Sequence, residues 1–231
     1  MVQTKLQTIA LPNLPELRIQ SLLDRNQYDD ADGHAQKLGI SSALWPLFGL
    51  LWPSSLYLAL ELAHRAHEKK DETVLEIGCG LAVPSLVYHR LGGSITASDC
   101  HPMTRSFLHD NLRLNAIAAD LPYRHGRWGA DPTTAYEAAT YSLLTERYDL
   151  VVGSDLLYER GVPPLLAQFI AKHTQPCGEA WIIDANRGFR PAFTRHMAEH
   201  GFTLYEDRRL NQAPCLSGAK QYKGHLLKFR R

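Results

Sequence analysis

The sequence predicts an α/β fold: a doubly wound, mostly parallel sheet with helices on both faces. Three observations carry that prediction. Short β-branched or apolar runs alternate with helical stretches along most of the chain. The last two β-like runs follow one another with no helix between them, which predicts a C-terminal antiparallel hairpin at one edge. The length of 231 residues, with 45% hydrophobic and 21% charged, supports a full core without disulfide or metal staples.

A first helix is expected from Ser54 or Ser55, either of which could cap it, to about Lys69, since Leu56, Leu58, Leu60, Leu62 and Ala63 sit among helix formers. Residues 73–77 are a short β-branched run bounded by charge and glycine, the pattern of a buried parallel strand. A helix over 82–91 has Pro84 near its first turn, where the missing N–H costs nothing, and Gly92 and Gly93 end it. A strand over 94–98 reaches Asp99, and a helix over 103–115 carries Phe107, Leu108, Leu112 and Leu114. The alternation continues with a short strand at 123–125, a helix or irregular insertion at 131–145, and a strand at 148–153. A helix at 163–173, a strand at 179–184 and a helix at 190–200 follow, and the closing strands are 202–210 and 221–229. Residues 1–48 read as an N-terminal extension and a candidate substrate-side cap, ahead of one domain over 49–231.

Composition narrows the function. Twenty-five basic against 24 acidic residues, mixed along the chain, argue against a dedicated nucleic-acid binder. Cys79, Cys100, Cys177 and Cys215 contain no Cys-x-x-Cys pair and are too sparse for a disulfide framework, so a reducing cytoplasm is expected. His64 and His67 lie one turn apart but lack the third and fourth ligands of a closed metal site, so no metal is expected. Residues 38–60 carry no charge and are long enough to span a bilayer, yet Gly39, Pro46, Gly49 and Pro53 interrupt them. They read as a buried loop leading into a helix, with no membrane partner.

In open sheets of this class, ligands bind beyond the carboxyl ends of the strands. The first central strand ends in Glu76-Ile77-Gly78-Cys79-Gly80, where the glycines permit a tight turn and the next helix presents free N–H groups. The place of the third glycine of a dinucleotide fingerprint is Val83, which weakens a pyrophosphate reading. At the end of the second strand stands Asp99, nineteen residues after Gly80, where a carboxylate can accept from both hydroxyls of a ribose. A nucleoside is implied. Glu76 adds a second carboxylate, which suits a ligand bearing a cationic amino or sulfonium group.

The segment from Val74 to Gly80, with Asp99, resembles the first two signature motifs of class I S-adenosylmethionine-dependent methyltransferases. Three further pieces narrow the likeness: Gly49-Leu50-Leu51-Trp52-Pro53-Ser54, Arg127-Trp128-Gly129, and Ser154-Asp155-Leu156-Leu157-Tyr158. They resemble the seven-β-strand protein methyltransferases with an Asp-x-x-Tyr motif (methyltransferase family 16), which include protein-lysine methyltransferases. The likeness runs from about Gly49 to the end and implies a Rossmann-like sheet of seven strands. It also implies S-adenosyl-L-methionine as cofactor, with Glu76, Gly78 and Gly80 bordering its methionine part and Asp99 on the ribose. By the same resemblance Trp128 lies beside the adenine, Trp52 closes over the amino-acid end, and Ser154 and Asp155 line the wall nearest the methyl group. The chain departs from the pattern at Ala82, where many relatives have a third glycine; alanine still permits close helix packing.

The implied activity is N-methylation of a lysine side chain on a protein. A small-amine methyltransferase and a non-catalytic binding module on the same fold are the alternatives. Asp155 and Tyr158 are the expected catalytic pair, Asp155 to orient an amine and Tyr158 to hydrogen-bond substrate or main chain. Methyl transfer from a sulfonium is an in-line displacement that needs an amine lone pair, so the protein supplies alignment and desolvation. Of the remaining candidates, Cys79 reads as a small packing residue, and 184–188 as a substrate-facing loop or a capped turn. Trp45, Phe48 and Trp52 read as a lid or as core, and Arg124, Arg127, Lys220 and Lys223 as scattered cations or an attraction for an acidic partner. Asp24, Asp29, Asp30 and Asp32 read as a solvated loop or a docking strip.

Overall fold

The computed structural model describes residues 2–69, 71–129, 134–210 and 222–231. The elements in chain order are β1 (Thr4–Ile9), β2 (Leu17–Leu22), α1 (His34–Lys37), a 3-10 turn (Trp45–Gly49), α2 (Pro53–Glu68), β3 (Thr73–Ile77), α3 (Val83–Arg90), β4 (Ser94–Asp99) and α4 (Thr104–Leu114). They continue with β5 (Tyr123–His125), α5 (Ala135–Thr140), β6 (Tyr148–Ser154), α6 (Val162–His173), β7 (Thr174–Asp184), α7 (Arg190–Glu199), β8 (Thr203–Leu210) and β9 (Gly224–Arg230).

Seven strands form one sheet in the order β5-β4-β3-β6-β7-β9-β8. The first five are parallel, and β9 runs antiparallel to both β7 and β8, as the missing last helix predicts. Alternate residues of each central strand enter opposite halves of the core. Val74, Leu150 and Val152 pack with α2, α3 and α4, whereas Leu75, Ile77 and Val151 pack with α6 and α7. Burial on both faces is why these strands read as continuous apolar runs.

Several boundaries differ from the sequence reading for physical reasons. Helix α2 starts at Pro53 with extended Trp52 as its N-cap and no side-chain cap; the Ser55 hydroxyl donates to the Trp52 carbonyl (2.7 Å) instead. Proline presets φ for a first helical turn and needs no N–H partner, so it replaces the expected serine cap. Strand β7 begins at Thr174, which pairs with Tyr148, and an irregularity in register precedes the Leu150–Glu179 pair. The insertion expected at 131–145 contains the six-residue α5, held by a capping box between Thr134 and Glu137. Residues 131–133 of that expectation, and Gln221 of the last strand, lie outside the described residues.

The sequence reading missed the antiparallel pair β1–β2. Ile9, Leu17, Ile19 and Leu22 enter the same half of the core as α2, α3 and α4. The outer edge of β2 is paired by side chains rather than by a strand. Asn111 on α4 accepts from the Gln20 N–H (2.8 Å) and donates to its carbonyl (3.3 Å), and Asn115 does the same for Arg18 at 2.8 and 2.7 Å. Two amides thus satisfy four edge groups that would otherwise be open to another chain. Among the described residues, no helix is long and apolar enough to cross a membrane.

Candidate active site

A cavity of about 430 Å³ opens beyond the carboxyl ends of β3, β4 and β6. Its floor is the glycine turn, and its wall includes residues of the segment between α1 and α2. Gly78 and Gly80 have φ of +57° and +51°. A Cβ on Gly80 would stand 2.8 Å from the Phe48 carbonyl oxygen, and one on Gly78 would stand 2.5 Å from Leu156 and 3.0 Å from the Trp128 ring. Backbone angle favours glycine at both positions, and at Gly80 the approach of the Phe48 backbone requires it as well. Ala82 also sits at positive φ (+55°), as the N-cap of α3. Gly80→Ala is expected to cost about 1–2 kcal/mol of stability, because the left-handed conformation and the Phe48 carbonyl both oppose a side chain. Denaturant melts and calorimetry check this, and an unchanged melt would show that the turn yields freely.

Asp99, 8% exposed, ties the turn to the strand end. Its Oδ2 accepts from the Gly80 N–H (2.9 Å) and its Oδ1 from the His101 N–H (2.8 Å). Burial pushes its carboxyl up, while the His101 and Gly80 N–H groups pull the other way. His101, which sequence reasoning did not single out, stacks on Phe48 with ring centroids 3.8 Å apart. Burial depresses it to about 3, so the ring is neutral, and Nδ1 accepts from the Met103 N–H (3.2 Å). Nothing local in Asp99-Cys100-His101 signals that stack.

Trp52, Trp128, Ser154, Asp155 and Tyr158 all line this same cavity. The Trp52 indole donates to the Leu47 carbonyl (3.0 Å), and the Trp128 ring meets Phe169 edge-on at 5.9 Å. Asp155 has φ of +61°, its N–H donates to the Ile183 carbonyl (2.8 Å), and its carboxylate pairs with the Arg187 guanidinium. Tyr158 is half-buried and its phenol is pushed up by burial, so it remains a neutral hydrogen-bond donor.

A sequence profile described as "Lysine methyltransferase" matches residues 35–197. The chain belongs to that family. Among curated relatives of this chain, the protein-lysine methyltransferase METTL21E of Bos taurus is 26% identical over 179 residues, covering 75% of this chain and 58% of that one. The chain therefore spans less than two thirds of that relative's length. Among solved structures, the ribosomal protein L11 methylase of Lactobacillus delbrueckii subsp. bulgaricus superposes with a TM-score of 0.53 at 20% identity, covering 75% of this chain and 77% of that one. The structure of SMU.776 complexed with SAH superposes with a TM-score of 0.61 at 12% identity, covering 98% and 56%. At these identities the likeness establishes the Rossmann-like fold.

Against the family pattern, one expected site residue is displaced. Glu76 is not among the residues lining the cavity; it is 2% exposed, and its Oε2 accepts from both the N–H (2.9 Å) and the hydroxyl of Ser85. It anchors the first turn of α3 beneath the glycine turn. Its parity on β3 explains this, since Glu76 shares the face of Val74, which α2 and α3 cover. Trp45 is core, fully buried edge-on to Phe48 and His101, while Phe48 and Trp52 contribute to the wall. Arg127 is not free to attract a partner. Its guanidinium is paired with Glu137 at 2.8–2.9 Å, and that carboxylate, held well below the usual range chiefly by Arg127, also takes Thr134 and His125. Arg124 lies 3.9 Å from Glu146, Lys223 is exposed, and Lys220 and Cys215 lie outside the described residues. Asp30 accepts from the Ala35 and Gln36 N–H groups (2.8 and 2.9 Å), which gives one of the four N-terminal aspartates a structural task at α1. Cys79 is buried at the cavity's edge, with its thiol pushed up by desolvation.

Proposed function

We propose that the protein is an S-adenosylmethionine-dependent N-methyltransferase that methylates a lysine side chain of a protein substrate. One observation carries the reading: a single cavity has the Asp99 carboxylate and the glycine turn on its walls together with the Asp155 and Tyr158 side chains. The residues present fit the cofactor. Asp99 uses one lone pair on each oxygen for backbone N–H groups, which leaves acceptor capacity for the two ribose hydroxyls. The bare backbone at Gly78 and Gly80 suits the methionine part, Trp128 the adenine, Trp52 the amino-acid end, and Ser154 the wall beside the reacting group. When bound, the cofactor supplies an activated methyl group on a positively charged sulfur.

This chain's residues then align and dehydrate an amine. The Asp155 carboxylate orients it, the neutral Tyr158 phenol donates a hydrogen bond to a carbonyl of the substrate or main chain and leaves the amine lone pair free, and the apolar wall of Leu47, Phe48 and Leu156 excludes water. The family description and the METTL21E relative support a protein acceptor. Cys79, Cys100 and Cys177 are free thiols, which supports a reducing cytoplasm. Incubation with isotopically labelled S-adenosylmethionine and cell lysate, followed by mass spectrometry, tests the reading. Label on a polypeptide lysine is expected; label only on a metabolite would favour a small-amine methyltransferase, and no cofactor binding in calorimetry would favour a binding module. Asp155→Ala is expected to reduce turnover about tenfold while leaving cofactor affinity unchanged; equal losses would place Asp155 at the cofactor.

A further inference from the structure

Within the cavity, Asp155 is already held by a cation. Its side chain is 8% exposed, and the guanidinium that covers it belongs to Arg187, 36% exposed, on the loop between β7 and α7. Arg187 reaches Asp155 Oδ1 through Nη1 alone, without the two-pronged geometry that makes arginine–carboxylate pairs strong. The flanking backbone is of a kind that side chains rarely adopt: Asn186 has φ of +61° and Gly188 of +91°. The next arginine along, Arg190, is committed elsewhere, to Asp207 and His225. Arg187 also lines the cavity.

We propose that Arg187 is a specificity residue that selects acceptors whose amine has an anionic group nearby. The inference rests on the reading of Asp155 as the acceptor-facing carboxylate. An ammonium that approaches Asp155 must displace the guanidinium, and a bare cation then leaves Arg187 without an anion. An acceptor that carries a carboxylate close to its amine exchanges partners instead: its ammonium pairs with Asp155 and its carboxylate with Arg187. The number of ion pairs rises from one to two, so the exchange favours lysines in an acidic setting.

A matched pair of probes isolates the effect: Nα-acetyl-lysine, which has both an ammonium and a carboxylate, and its N-methylamide, which has only the ammonium. Binding is read from amide chemical shifts around the cavity of the full chain, with no turnover required. In the wild type the carboxylate-bearing probe is expected to bind about fivefold more tightly, the range of a partly exposed ion pair. Arg187→Gln should abolish that preference and bind the N-methylamide at least as tightly as wild type does. Asp155→Asn, whose asparagine tolerates the positive φ, should weaken both probes. Equal binding of the two probes by wild type, a preference that survives Arg187→Gln, or no saturable shift from either probe overturns the proposal. A failure of methyl transfer in the labelled lysate with this pattern intact would instead count against the methyltransferase reading alone.

Discussion

Glu76→Gln is expected to leave stability unchanged near pH 4 and to make the protein more stable than wild type at pH 8, by as much as about 4 kcal/mol. The Glu76 carboxyl is buried between β3 and α3, and desolvation pushes it up to about 8 against the opposing pull of the Ser85 hydroxyl and N–H. Below its unfolded value near 4.5 it is protonated in both states, so it contributes no pH dependence there. As the pH rises from there toward 8, the unfolded chain gives up the proton and the folded chain keeps it, so wild-type stability falls across that window and then levels off. Glutamine has no proton to lose. Both Ser85 donors go to one oxygen of Glu76, which the amide oxygen can replace, while the amide nitrogen stands where the neutral acid carries its hydroxyl. Guanidinium melts of both proteins between pH 4 and 8 provide the check. Parallel stability profiles would mean that the carboxylate is charged in the folded protein.

The contrast between Glu76 and Asp99 shows which parts of the site were legible in the sequence. Each is a carboxylate on a strand next to a turn, but Asp99 is the last residue of β4 and Glu76 is one residue short of the end of β3. Asp99, at the last position of β4, lines the crevice, whereas Glu76 follows the parity of its face, which puts it under α3. The glycine turn and the Asp155–Tyr158 pair were legible because they are local: each is a short stretch at a strand end, and the sheet order brings those ends together. The sheet itself was legible because strands buried on both faces are apolar at every position, as in Leu150, Val151 and Val152. Long-range partners left no such mark. The outer edge of β2 is satisfied by Asn111 and Asn115, more than ninety residues away, and Arg187 finds Asp155 across 32 residues of chain. Nothing within a window of ordinary length encodes such a pairing, because either residue would look equally natural on a solvated surface.

Asp99→Ala is expected to weaken adenosine binding by about 1.5–3 kcal/mol more than it weakens binding of 2′,3′-dideoxyadenosine, the worth of hydrogen bonds to a charged group. The pair of nucleosides is needed because Asp99 has two tasks. It accepts from the Gly80 and His101 N–H groups, and its loss would strand both donors in a buried site and loosen the turn that any nucleoside must lie against. A loosened turn lowers the affinity of both nucleosides together, since both present the same base to the same walls. Loss of a ribose contact lowers only that of the nucleoside with hydroxyls. The difference between the two, measured by calorimetry in wild type and variant, is therefore the ribose term with the structural term removed. A difference that collapses in Asp99→Ala places the carboxylate on the hydroxyls. One that persists, with both affinities lowered, would confine Asp99 to holding the glycine turn and remove the nucleoside from this corner of the cavity.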